Sequence, residues 1–176
     1  MRVKALLIVL FVYPIQHIVL AQQTIPTRFW VSPGLGKATY ASGMLAVGFE
    51  PQNSQSALVG RYVVDAEFIP AVEPGIKTQE LGLLYGRRVR KFLFAAGLSY
   101  IKGNFRGQYL YTDPDPLMGT GRVHEYVGYK TIGIPAEIRY MASLKQIGIG
   151  LTAFGNLNDK RSFGGLNLSL YFGKMK

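Results

Sequence analysis

The sequence predicts an all-β fold, an antiparallel up-and-down transmembrane β-barrel of about eight strands. Hydrophobic residues recur with a period of two, and helical stripes of useful length are missing from the chain. Only 17% of the 176 residues are charged while 48% are hydrophobic, against about 25% charged in soluble domains. After residue 21 no apolar run approaches 18 residues. If the chain enters a bilayer, it must therefore do so as a closed barrel, since open sheet edges cannot be satisfied in hydrocarbon.

The first element, residues 1–21, has the features of a cleaved signal peptide. Arg2 and Lys4 precede the apolar stretch ALLIVLFV, and small or modest side chains follow at the usual cleavage positions. The alternative is a membrane-spanning helix, but the segment is short for a span of about 20 residues and contains Pro14. We therefore expect one outer-membrane barrel domain over residues 22–176, after removal of the signal peptide.

The mature chain then divides into strands joined by connections of alternating length. Alternation and turn residues place the strands near residues 27–36, 41–51, 56–68, 78–88, 91–103, 126–141, 145–156 and 162–173. The longest connection is expected from Asn104 to Glu125, which contains Asp113-Pro114-Asp115-Pro116. Membrane barrels have short periplasmic turns and long external loops, so we expect this segment on the cell surface.

Periodicity alone does not tell whether the apolar face points to lipid or into a soluble lumen. On the apolar face, aromatic residues cluster near strand ends, as in the girdles of membrane barrels; they are Tyr62, Phe68, Tyr85, Phe92, Tyr100, Tyr140 and Phe172. The opposite face carries glycines and few lysines, whereas a solvent-washed face normally carries more charge. These features favour a barrel with its apolar face towards lipid and a polar interior.

The polar face also carries charges of both signs in or near the middle of strands. Buried charges persist when they are paired, so these residues are interpreted as an interior ionic network. Its predicted members are Arg61, Asp65, Glu67, Glu80, Glu137 and Arg139.

Several segments resemble a known family. The closing strand LNLSLYFG, together with WVSPGLG, ELGLLYGR and AFGNLN, is similar to segments of the small outer-membrane β-barrels of Gram-negative bacteria. The resemblance implies a location in the cell outer membrane. It also implies contact with the barrel-assembly machinery and with outer-membrane lipids including lipopolysaccharide, and a monomeric state.

Cations are concentrated at the end of the predicted barrel that carries the long loops. Arginine and lysine there can hold lipopolysaccharide phosphates by charge-assisted hydrogen bonds; general solvation of the loops is the alternative. The candidates are Lys37, Lys102, Arg106, Arg122, Lys130, Lys160 and Arg161. A second run, Arg87, Arg88, Arg90 and Lys91, is interpreted as a hairpin end facing inner-leaflet phosphates and water. No nucleic-acid partner is expected, because a signal peptide removes the protein from nucleic acid.

Catalytic and metal-binding patterns are weak. The mature chain has one histidine, His124, and the adjacent Glu125 points to the opposite face of a strand, so it is badly placed to orient the ring. Ser99 and Ser162 are the nearest plausible hydroxyl nucleophiles. The chain has no cysteine, which excludes a disulfide scaffold and a thiolate metal site. We expect no metal and no cofactor.

Three functional hypotheses follow from these sequence patterns. The first is a non-enzymatic outer-membrane barrel with a plugged interior and a structural or surface-interaction role. The second is an outer-membrane lipid-modifying hydrolase or acyltransferase that uses His124. The third is a soluble periplasmic carrier of an apolar ligand, which requires an apolar lumen.

Overall fold

The computed structural model describes residues 27–51, 54–116, 119–144 and 146–174, so the predicted signal peptide lies outside the described residues. Antiparallel strands form a closed barrel in the order β1 to β8. Their bounds are β1 Thr27–Lys37, β2 Ala41–Pro51, β3 Ser56–Ala66, β4 Lys77–Val89, β5 Phe92–Thr112, β6 Arg122–Leu144, β7 Ile147–Asn158 and β8 Phe163–Lys174. The predicted all-β, eight-stranded up-and-down barrel is confirmed. Within the described ranges, no helix is long and apolar enough to cross a bilayer.

The barrel has two unlike ends. At the short-turn end lie residues 54–55, 90–91 and 146, together with the start of β1 and the end of β8. At the long-loop end lie residues 38–40, 67–76, 113–116, 119–121 and 159–162. The barrel closes where β1 pairs with β8, with Leu35 opposite Leu168.

Alternation along each strand separates an apolar outer surface from a mixed, largely polar interior. In β8, Leu168 is 58% exposed while its neighbour Asn167 is completely buried. The aromatic residues predicted for the girdles are all exposed, but only six of them lie on strands, because Phe68 is beyond the end of β3. Large apolar side chains left exposed around the whole barrel are what a lipid solvent requires, because a soluble barrel would bury them.

The predicted surface loop from Asn104 to Glu125 is wrong in its extent. Strand β5 continues to Thr112 and β6 begins at Arg122, so both strands extend well into the predicted loop. The two strands pair with one another beyond the barrel wall and form a two-stranded ribbon, with register shifts between Arg106 and Tyr111. Glycine and polar residues in this stretch predicted a loop, but cross-strand pairing satisfies the backbone and outweighs their low strand propensity.

Glycines in the inner wall make room for the few large interior side chains. A Cβ at Gly48 would lie 2.0 Å from the Trp30 ring, and one at Gly133 would lie 2.1 Å from Asn156 Oδ1. A narrow barrel accommodates bulky residues by placing small ones beside them. Gly48 and Gly133 therefore leave space inside the barrel for Trp30 and Asn156.

Candidate functional site: the charged interior and the long-loop end

Four charged side chains meet inside the barrel. The Arg61 guanidinium donates from Nη2 to Glu80 Oε1 at 2.6 Å and from Nε to the same oxygen at 2.9 Å. Its Nη1 donates to Glu137 Oε2 at 3.1 Å. Arg139 in turn donates from Nη2 to Glu137 Oε2 at 2.9 Å and from Nε to Glu137 Oε1. We call these four residues the central cluster; their side chains have zero solvent exposure.

The central cluster balances its own charge, with two arginines against two glutamates. Each guanidinium also lies over an aromatic ring: Arg61 over Phe154 at 5.6 Å and Arg139 over Trp30 at 5.3 Å. A neutral group of hydrogen-bonded ions tolerates low dielectric surroundings, whereas the loss of one member leaves an uncompensated charge.

Neutral polar residues extend the central cluster. Asn156 donates from Nδ2 to Glu80 Oε2 at 3.1 Å and to Ser99 Oγ at 2.7 Å. Both residues are buried inside the wall. The second oxygen of Glu80 is thereby satisfied by a residue of β7, so the network joins β3, β4, β6 and β7 across the lumen.

Two predicted members of the interior network lie elsewhere. The Asp65 carboxylate is buried near the long-loop end and accepts from the Tyr40 backbone N–H at 2.8 Å, with no contact to Arg61. Glu67 lies beyond the end of β3 and pairs with Arg106. The alternation correctly places Asp65 on the inward face of β3, whereas the strand ends at Ala66, before Glu67. Both residues lie too far towards the long-loop end to join the central cluster.

A second interior ion pair was missed by the sequence analysis. Glu50 is buried at the short-turn end and accepts from Trp30 Nε1 at 2.7 Å. Arg88 donates to both carboxylate oxygens of Glu50 and contacts Met141 Sδ at 3.0 Å. The interpretation of Arg88 as a cation directed to phosphates and water is therefore wrong. The inward position of Glu50 on β2 was the available signal for a buried carboxylate. Such a group is expected to have a cation partner inside the barrel.

Arg106 and Glu67 form a brace at the base of the ribbon. Arg106 donates to Pro74 O at 3.1 Å, to Val72 O at 2.6 Å and to the Glu67 carboxylate. These contacts hold residues 67–76 against the ribbon, where Glu73 also forms a bridge with Val123. The two residues were predicted in different sites, Arg106 as a lipid contact and Glu67 inside the barrel, and the structure pairs them instead.

The predicted lipopolysaccharide contacts all lie at the long-loop end or on the ribbon. Arg161 lies over the Tyr40 ring at 5.5 Å, and Lys160 pairs with Asp159 at 3.1 Å. The remaining candidates are exposed and form no ion pair with the residues that the structure describes; they are Lys37, Lys102, Arg122 and Lys130.

One turn carboxylate at this end has a shifted pKa. The Thr131 hydroxyl donates to Asp159 Oδ1 and, with Lys160 beside it, lowers the pKa of the Asp159 carboxyl below its usual range. The side chain is exposed, so solvent screens the effect on stability. The lowered pKa favours the ionised turn above the ordinary carboxyl pKa, and this preference is lost as the pH falls through the lowered value.

The residues proposed for lipid chemistry do not come together. The His124 ring is half-buried and packs edge-on against Tyr109, with ring centroids 5.6 Å apart. Ser99 is buried in the wall and hydrogen-bonded to Asn156, while Ser162 donates to Asn158 O at 3.1 Å. Within the described ranges no hydrogen bond joins either serine to the histidine ring, and no group of three metal-ligating side chains occurs.

Comparison with solved structures identifies the same architecture elsewhere. The N-terminal β-barrel domain of Pseudomonas aeruginosa OprF matches with a TM-score of 0.51 at 8% identity, over 83% of this chain and 96% of that chain. The Yersinia pestis outer membrane protein Ail matches with a TM-score of 0.52 at 8% identity, over 83% of this chain and 98% of that chain. Neisserial surface protein A matches at 11% identity with a TM-score of 0.49.

No protein-family model matches the chain, and no curated protein matches it either. At 8% identity the structural likeness is one of fold. It confirms the resemblance to small outer-membrane β-barrels that the sequence predicts, and the chain has the fold of those barrels.

Proposed function

We propose that this protein is a non-enzymatic barrel of the bacterial outer membrane, with an interior plugged by charged side chains and a structural or surface-interaction role. The observation that carries the proposal is the distribution of polarity, with leucines such as Leu168 facing outward and the central cluster inside. A barrel of eight strands encloses only enough space for side chains to fill. Free diffusion through the lumen is therefore not its role.

The two alternatives lack this support. A soluble carrier needs an apolar lumen, but the central cluster occupies the middle of this one. A lipid-modifying enzyme needs a hydroxyl within reach of His124, and the two serines considered for that role are bonded elsewhere. We further propose that the protein is a monomer assembled by the barrel-assembly machinery. In the membrane it contacts outer-membrane lipids including lipopolysaccharide.

Conductance across a planar bilayer tests the plug. We expect the wild-type barrel to show no sustained conductance. Arg61→Ala removes the residue that joins Glu80 to Glu137 and should open a small conductance. Arg87→Ala, which changes an exposed arginine of β4, is the matched control and should leave the conductance unchanged. Sustained conductance of the wild-type protein would contradict the plugged interior.

Membrane fractionation tests the location. The wild-type protein should sediment with outer-membrane markers after gentle lysis and should resist extraction by high salt. Recovery in the soluble periplasmic fraction would contradict the proposal, since a barrel with an apolar outer surface has no stable soluble form.

A further inference from the structure

The outer surface changes character between two adjacent rows of the sheet at the long-loop end. One row is apolar and exposed and consists of Tyr62, Leu81, Tyr100 and Ile132, which lie opposite one another in register. The next row towards the long-loop end consists of Val64, Gln79, Lys102 and Lys130. The apolar wall therefore ends where a pair of lysines begins, as at the boundary between hydrocarbon and headgroups.

The two lysines of this boundary are direct neighbours. Lys102 lies opposite Lys130 in the β5–β6 register, and both side chains are exposed on the outer surface. Like charges directly opposite one another destabilise a sheet. Lys77, two residues from Gln79 on the same face, adds a third exposed cation. Within the described ranges, none of the three lysines forms a salt bridge with a carboxylate. An anion held between them would offset this repulsion.

An exposed aromatic ring lies beside the lysines. Gly128 is exposed and lies two residues from Lys130, and a Cβ built there would be 3.2 Å from Tyr126 Cε1. The Tyr126 ring therefore leans over Gly128 and remains 62% exposed. Because Gly128 has no side chain, the Tyr126 ring can lie close to the strand surface at that position. A flat ring next to a group of cations is suited to a ligand that carries both an apolar ring face and a phosphate.

We propose that Lys102 and Lys130, with Lys77 beside them, bind a phosphate group on the sugar headgroup of an outer-leaflet glycolipid, and that Tyr126 packs against the sugar. Lysine ammonium groups donate charge-assisted hydrogen bonds to phosphate oxygens. The acyl chains of the same lipid would lie along the apolar row that ends at Tyr100 and Ile132. This site rests on the proposed outer-membrane location. It places a lipid partner at a particular position on the barrel surface.

Native mass spectrometry of the full barrel in neutral detergent tests the site. The probe is bisphosphorylated lipid A, and the comparison probe is the same lipid with its phosphates removed. We expect lipid A to bind the wild-type barrel, the double variant Lys102→Gln/Lys130→Gln to bind it at least about tenfold more weakly, and the dephosphorylated lipid to bind both weakly. Lys91→Gln, at the short-turn end, is the matched control and should bind lipid A like the wild type. Tyr126→Ala should weaken binding about three- to tenfold.

Three results would overturn the site: equal lipid A affinity of the double variant and the Lys91→Gln control, undiminished binding of the dephosphorylated lipid, or displacement of lipid A by an equal concentration of inorganic phosphate. The last result would assign the lysines to a free phosphate. Circular dichroism confirms that each variant keeps its β-sheet before binding is compared. Failure of lipid binding in a barrel that still fractionates with the outer membrane overturns this site alone, while recovery in the soluble fraction overturns the location itself.

Discussion

The interior ion pair Arg61–Glu80 gives the sharpest energetic test of the structure. Arg61 donates two hydrogen bonds to one oxygen of Glu80, at 2.6 and 2.9 Å, and both side chains have zero exposure. In Arg61→Met, Glu80 keeps only Asn156 as a partner, whereas Glu137 keeps Arg139. An uncompensated buried charge costs about 3–5 kcal/mol, and we expect that loss in the free energy of unfolding.

The double variant should be much less damaged than the two single variants suggest. Glu80→Gln keeps an acceptor for Asn156 and leaves Arg61 paired with Glu137, so we expect a loss of about 1–3 kcal/mol. Combined, the two changes remove one charge of each sign and leave the Arg139–Glu137 pair intact. The loss in the double variant should fall short of the sum by at least about 1.5 kcal/mol, within the usual range of coupling between residues in contact.

Equilibrium unfolding in urea with the barrel in phospholipid vesicles measures these values. The single tryptophan of the chain, Trp30, lies inside the barrel with 1% exposure, so its emission reports loss of the interior. Arg87→Ala is the surface control, because its Nε bonds Gln55 at an exposed site, and it should change stability by less than about 0.5 kcal/mol. A coupling energy below about 0.5 kcal/mol between Arg61 and Glu80 would refute the argument that they form a buried, mutually dependent pair.

Three further predictions concern the outer surface and the ribbon. Leu168→Arg should destabilise the folded barrel by about 2–4 kcal/mol in vesicle unfolding, because the side chain points to lipid near the middle of β8. A change under about 0.5 kcal/mol would place that residue in water. Protease added to intact cells should cut between β5 and β6, since residues 113–116 and 119–121 lie at the tip of the ribbon. Protection that ends only on permeabilisation would reverse the orientation of the barrel. Arg106→Ala should speed hydrogen exchange across residues 67–76 and leave exchange in β8 unchanged, because Arg106 donates to Val72 O, Pro74 O and Glu67. Unchanged exchange across residues 67–76 would show that the brace does not hold them.

The sequence predicted what depends on local alternation. A period of two divides each strand into two faces without knowledge of its partners, and the aromatic and charge patterns then indicate which face is outward. The outer row of β8 and the inward positions of Arg61, Glu80, Glu137 and Arg139 follow from the two together. Strand number and the tight turns after β2 and β4 follow from the same pattern and from the turn residues. The turn after β6 was predicted too early, because β6 continues three residues beyond its predicted end, to Leu144.

Features that depend on strand stagger or on bent segments were not predictable. The partner of Glu67 depends on how the end of β3 lies relative to β5, because Arg106 is on the part of β5 that continues beyond the barrel wall. The pairing of Arg88 with Glu50 joins residues on β4 and β2, which no local pattern connects. The ribbon itself was missed because its glycines and polar residues have low strand propensity, while the pairing of β5 with β6 satisfies its backbone.

A lipid-facing barrel requires Leu168 to point into hydrocarbon, and site-directed spin labelling measures whether it does. The chain has no cysteine, so Leu168→Cys and Asp115→Cys each provide one labelling site in the barrel reconstituted in phospholipid vesicles. Collision of the nitroxide with oxygen, which concentrates in hydrocarbon, is compared with collision with a water-soluble nickel chelate. We predict that the label at position 168 collides with oxygen and is shielded from nickel, while the label at position 115 in the loop shows the reverse. A label at position 168 that collides freely with the nickel chelate would contradict a lipid-facing barrel.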